Sequence, residues 1–136
     1  MEKRIPRGLR NHNPLNIKIG NDWHGEKHPN TDGVFEQFTA DYFGYRAAFI
    51  ILRKYITRYG RDTIRKIVHS WSPDGASIEA NYMKAVCQFT GKALDDHINF
   101  YDKVVMCHLV QGMAHVENGC DIPLEPIEVG YEMAIN

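Results

Sequence analysis

The feature that most constrains this chain is a change of rhythm at about residue 40. Before it, turn formers crowd the sequence: Asn11, Asn13, Pro14, Asn16, Gly20, Asn21, Asp22, Gly25, Pro29, Asn30, Asp32 and Gly33. Such residues favour irregular backbone over helix interiors or long strands. After it, apolar residues recur every three or four positions, the period at which one helix face points inward. A loop-rich first third must therefore be held by a helical remainder.

The helical part divides at its own punctuation. Tyr45, Ala48, Phe49, Leu52, Tyr55, Ile56 and Tyr59 form one stripe, with Gly60 behind it as a stop signal. A shorter helix is expected from Asp62, carrying Ile64, Ile67, Val68 and Trp71 until Pro73-Asp74-Gly75. A third is expected after Ser77 as N-cap, with Ile78, Tyr82, Ala85, Val86 and Phe89, ending at Gly91. The longest is expected to open at Asp95-Asp96 and run to Glu117, followed by Asn118-Gly119. Its rows, Ile98, Tyr101, Val105, Leu109, Gly112 and Val116 beside Met106, Val110 and Met113, are wide enough for burial on most sides. The tail from Asp121, with Pro123 and Pro126, reads as extended or packed coil. In the first third, Ile17-Lys18-Ile19 and Val34 to Phe38 are expected to pair as a small hairpin. The fold expected is mainly α, with four main helices arranged around a long central C-terminal one. With no repeat, linker or low-complexity tract, residues 1–136 read as one domain.

Composition narrows the function. Lys plus Arg is 16 and Asp plus Glu 17, a net charge of -1, which lacks the basic surplus that nucleic-acid binding draws on. Lys3, Arg4, Arg7 and Arg10 cluster at the start, where a charge run reads as solvated. No stretch approaches the eighteen or so apolar residues that span a bilayer, and the opening MEKRIPRGLR lacks a secretory apolar segment. Synthesis in the cytoplasm without a signal peptide is the expectation, and no membrane partner is implied. Cys87, Cys107 and Cys120 have no CxxC spacing and read as free thiols. The spacings of His24 with His28 and of His108 with His115 suit no shared metal, and no phosphate-cradling glycine loop occurs, so no metal or cofactor is expected.

Chemistry concentrates in two places. Asn11-His12-Asn13-Pro14-Leu15-Asn16-Ile17-Lys18, followed by Trp23, is dense in side-chain amides. Short amides brace irregular loops and also present donors and acceptors to an uncharged polar ligand such as a sugar. Glu117 is the second place. One turn beyond Met113 and two beyond Val110, it continues an apolar row at the negative end of a helix. Desolvation and the helix dipole both raise a carboxyl pKa there, as protonation of a glycosidic oxygen requires.

A resemblance joins the two. Arg7-Gly8-Leu9-Arg10 through Lys18, Phe35-x-x-Phe38, Gly44-Tyr45-Arg46-Ala47, Tyr55, Trp71-Ser72-Pro73 and Tyr82 resemble a family of small phage and prophage proteins, lysozyme-like or virion structural. The same order resembles bacterial cell-wall glucosaminidases, which carry an Asn-rich loop, a Phe-x-x-Phe strand and a long helix. Those enzymes place a Glu-Ser-Gly helix end before the amide loop. Here only Met1 to Pro6 precede it, and Glu2 is not on a helix, whereas Glu117-Asn118-Gly119 resembles that element at the far end. The resemblance therefore implies a circularly permuted lysozyme-like α+β fold with Glu117 as general acid. It further implies Asn11, Asn13, Asn16, Trp23 and Tyr82 in a glycan cleft. Asp32 and Glu36 are candidates for the second carboxylate that inverting hydrolysis needs. A lytic transglycosylase route, in which the sugar's own 6-hydroxyl attacks, needs none. One departure stands out: relatives have a glutamate in the turn after Trp-Ala-Pro, and Ala76 replaces it here.

The function expected is cleavage of peptidoglycan glycan strands (muramidase, glucosaminidase or lytic transglycosylase type) by a monomer. Its alternatives are a non-enzymatic phage virion or glycan-binding protein of the same fold, associated with other virion proteins, and a module docking a protein through its aromatic surface.

Overall fold

A computed structural model describes residues 4–136; Glu2 and Lys3 of the sequence arguments lie outside the described residues. Six helices follow in order: α1 (Arg7–Arg10), α2 (Asp41–Thr57), α3 (Ile64–Trp71), α4 (Ala76–Thr90), α5 (Lys103–Asn118) and α6 (Leu124–Ile135). The protein is thus mainly α. Extended structure among the described residues is limited to two antiparallel bridges, Lys18 with Phe35 and Glu26 with Phe38. The first is the pairing expected of the two short apolar pieces, with Ile19 N–H donating to Val34 O and Glu36 N–H to Ile17 O.

α5 is the axis of the molecule. Met106, Leu109, Val110, Met113 and Ala114 are fully enclosed, and no residue from Val105 to Asn118 is exposed. It packs on α4, α6 and the short α1, and Gly112 lets Phe89 of α4 approach closely. Burial of each large apolar side chain in this core stabilises by roughly 1.5–3 kcal/mol. α2 buries Tyr45, Ala48, Phe49, Leu52 and Ile56, as its stripe requires, and α3 buries Ile64, Ile67 and Val68.

Two helix starts differ from expectation. α5 begins at Lys103, not Asp95: the Asp96 side chain accepts from Ala93 N–H in a turn, and Asp102 is the residue whose side chain caps the helix through Val105 N–H. α2, with 17 residues, is therefore longer than α5, with 16. α4 is capped two residues earlier than expected, on Gly75 and not Ser77; the Gly75 φ of 103° suits glycine, and Glu79 reaches back to its N–H.

The larger correction is α6, where coil was expected. Pro123 is its N-cap and Pro126 sits in its first turn, where N–H groups have no intrahelical partner to lose. Ile127, Tyr131 and Ala134 then form a buried stripe, with the Tyr131 hydroxyl donating to Phe100 O at 2.9 Å. α2 and α6 form the most extensive helix contact, because Gly130 brings the backbones together. α5 is consequently central but not C-terminal.

Candidate functional site

The amide-rich segment is folded onto the C-terminal end of α5. α1 turns the chain back, with Asn13 N–H donating to Gly8 O, and His12 and Asn16 both take left-handed φ values of 50° and 55°. Two side chains from the helical body clamp the result. Asn118 donates to Pro14 O at 2.8 Å and Trp71 Nε1 donates to Leu15 O at 3.1 Å. Gly8 lies where a Cβ would come within 2.6 Å of Asn118 Oδ1, so α1 sits directly on the end of α5.

This construction aims Asn16, and not its neighbours, at Glu117. Asn16 Nδ2 donates to Glu117 Oε1 at 3.0 Å across 101 positions of sequence. Asn13 is fully buried and braces the loop instead, donating to Ile17 O and Glu36 O and accepting from Ile17 N–H. Asn11 likewise points inward, donating to Asp32 at 3.0 Å and accepting from Gln37. The amides at 11 and 13 are internal struts; the one at 16 faces the acid.

Tyr82 of α4 completes the setting. It is only 3% exposed, and its hydroxyl borders the Glu117 carboxylate while reaching no full hydrogen bond. Burial pushes the Glu117 pKa above the ordinary carboxylate value, with contacts from Asn16 and Tyr82 opposing the shift and the charge of Asp74 adding to it. The same burial, reinforced by Glu117, pushes the Tyr82 phenol well up. A half-buried carboxyl whose pKa is raised by burial, beside a neutral phenol and an amide, is better suited to donate a proton than an exposed one.

The other two carboxylates have different surroundings. Asp32 receives both Arg7 nitrogens at 2.7 and 2.8 Å, the Asn11 amide, and the backbone N–H groups of Val34 and Phe35. These donors hold its carboxyl far below the usual range, so it stays charged and anchors a loop. Arg7 is thereby paired, and its guanidinium lies over the Phe35 ring, 4.6 Å from the centroid. Glu36 is 5% exposed, and its pKa is pushed up to about 7 by burial first, then by neighbouring Glu26 and Asp22. Glu26 itself accepts from Trp23 N–H at 3.0 Å.

Trp23 is not among the side chains gathered at Glu117. It lines a cavity of about 360 Å³ with Asn21, Asp22, Lys54, Tyr55 and Tyr59. The residues at the acid that sequence reasoning did not assign are Trp71, Asp74 and Asn118. Their signal was present in the Trp71-Ser72-Pro73 turn and the Glu117-Asn118-Gly119 element, but which partners they hold depends on the folded loop. Among the described residues no group of three or more His, Cys, Asp or Glu side chains forms a metal cluster, and no helix is long and apolar enough to cross a membrane. All three cysteines are free.

No family model matches the chain. It is, however, 36% identical over 131 residues to "Protein P5" of Pseudoalteromonas phage PM2, a match spanning 93% of this chain and 80% of that protein.

Proposed function

The chain belongs to the family of Protein P5 of Pseudoalteromonas phage PM2, and we propose, from the geometry at Glu117, that it cleaves peptidoglycan glycan strands with Glu117 as general acid. The observation that carries this reading is the Asn16–Glu117 contact, which sets a desolvated carboxyl against an amide-rich loop at the end of the most buried helix. The lysozyme-like fold and its circular permutation belong to the same proposal. Their support is spatial: the end of α5 abuts Gly8 and Pro14, so the acid directly adjoins the loop that follows it in the glucosaminidase order.

The carboxylates decide between routes. Asp32 is neutralised by Arg7, and Glu36 lies buried against Glu26, so neither is free to activate water. The route that needs no second carboxylate fits best. Glu117 delivers its proton to the glycosidic oxygen as the bond to C1 breaks. The 6-hydroxyl oxygen of the same sugar closes on C1, and its proton returns to the Glu117 carboxylate. The released strand then ends in a 1,6-anhydro sugar, one water lighter than a hydrolysis product. Mass spectrometry of fragments released from purified cell wall is expected to show the anhydro ends; reducing ends would assign hydrolysis instead.

A second reading, a non-enzymatic phage component that keeps the fold for binding, draws on one observation. A cavity of about 570 Å³ lies between α3 and α4, lined by Met83, Cys87 and Leu94 and away from Glu117. Wild-type protein that binds wall fragments and releases nothing from several peptidoglycan types would favour it.

A further inference from the structure

We propose that the cavity at Trp23, Tyr55 and Tyr59 is a second saccharide subsite, which holds a sugar unit of the same strand remote from the bond at Glu117. The proposal rests on the glycan reading above and adds a place and a set of residues to it.

The lining has the chemistry of sugar recognition. Three aromatic rings offer flat apolar faces to the C–H face of a pyranose, while Asn21, Asp22 and Lys54 supply donors and acceptors for hydroxyl and acetamido groups. Tyr59 is 55% exposed and so open to a ligand. The Arg61 guanidinium stacks 4.9 Å from the Tyr55 centroid and 5.3 Å from that of Tyr59, a contact that favours this arrangement of the rings. At about 360 Å³ the space suits one ring of a saccharide.

Continuity with the acid is the second line of support. Tyr55 meets Trp71 edge-to-face at 6.1 Å, Trp71 Nε1 donates to Leu15 O, and the adjacent Asn16 donates to Glu117. The cavity wall is thus joined through Trp71 to the loop that carries Asn16. Binding energy gathered at the remote unit would hold the strand in place for proton transfer.

The two tryptophans of the chain, Trp23 in the cavity wall and Trp71 against the loop, differ in their indole N–H groups. That of Trp71 is bonded to Leu15 O, and that of Trp23 has no partner. Two separate indole signals in a ¹⁵N–¹H spectrum therefore report the two places. The probe is tetra-N-acetylchitotetraose, titrated into the Glu117→Gln protein so that no bond is cleaved. The Trp23 signal is expected to shift on binding. Tyr59→Ala, on an exposed side chain outside any helix, is expected to weaken affinity about tenfold and leave the fold intact. Lys54→Ala serves as an independent second variant. A saccharide that shifts only the Trp71 signal, or affinity unchanged in both variants, would overturn the subsite while leaving the site at Glu117 standing. Saccharide binding at Trp23 by a wild-type protein that cleaves no wall would keep the subsite and end the catalytic reading.

Discussion

At the scale of single residues, position in the fold gives four acidic side chains four different characters. Asp32, ringed by Arg7, Asn11 and two backbone N–H groups, is a permanent anion. Glu36, enclosed beside Glu26, holds its proton to about pH 7, and Glu117 is shifted in the same direction chiefly by burial. Asp74, exposed on the turn after α3, accepts from the Ser72 hydroxyl and adds its charge to the setting of Glu117. The raised Glu36 has a consequence for stability. Between the ordinary carboxyl pKa of 4.5 and about 7, the folded chain binds more protons than the unfolded one. Stability from this group is therefore full below 4.5 and lost as pH rises through 7. Glu36→Gln is expected to flatten that fall and to raise Tm at pH 8, which thermal scans across pH 4 to 8 would measure. An unchanged pH profile would mean that Glu36 is ionised throughout. The loop's amides were visible in the sequence, yet their division of labour was not. Which amide faces outward depends on the left-handed turns at His12 and Asn16, and composition carries no record of those angles.

At the scale of elements, close backbone approach does as much as apolar burial. A Cβ on Gly130 would lie 2.6 Å from Tyr45 Cβ and 2.9 Å from Arg46 N, both held in α2. Gly130→Ala is expected to cost about 1–3 kcal/mol despite alanine's better helix propensity, and urea unfolding would read the loss. A stabilised variant would mean that α6 can move away from α2 freely. The sequence made α2, α3 and α4 legible because their apolar residues keep a clean helical period between glycine and proline stops. It hid α6 because Pro123 and Pro126 read as breakers until they are placed at the cap and first turn, where a missing N–H costs nothing. It also placed the start of α5 eight residues early. Asp95-Asp96 looks like a helix opening, but Asp95 is paired with Arg65 and Asp96 closes a turn, so Asp102 does the capping.

At the scale of the whole molecule, the N-terminal loop and the end of α5, distant in sequence, meet where the chemistry is expected. The last turn of α5 is bonded to Pro14, approached closely by Gly8, faced by Asn16 and bordered by Tyr82 of α4, while Trp71 of α3 holds the loop at Leu15. Every major contact there is long in sequence, so the acid exists as a site only in the folded chain. That arrangement is what a permuted glutamate helix would produce, and it makes Glu117 the residue on which the functional account depends. The measurement that tests it most directly is release of soluble muropeptides from purified cell wall by Glu117→Gln, read beside its Tm. Glutamine keeps the bond from Asn16 by its own carbonyl oxygen but cannot donate an acid proton. The account predicts a loss of roughly a hundred- to ten-thousand-fold in rate with Tm unchanged or higher, since a desolvated acid costs stability that function maintains. Full activity with a lowered Tm would contradict it and leave Glu117 a structural residue.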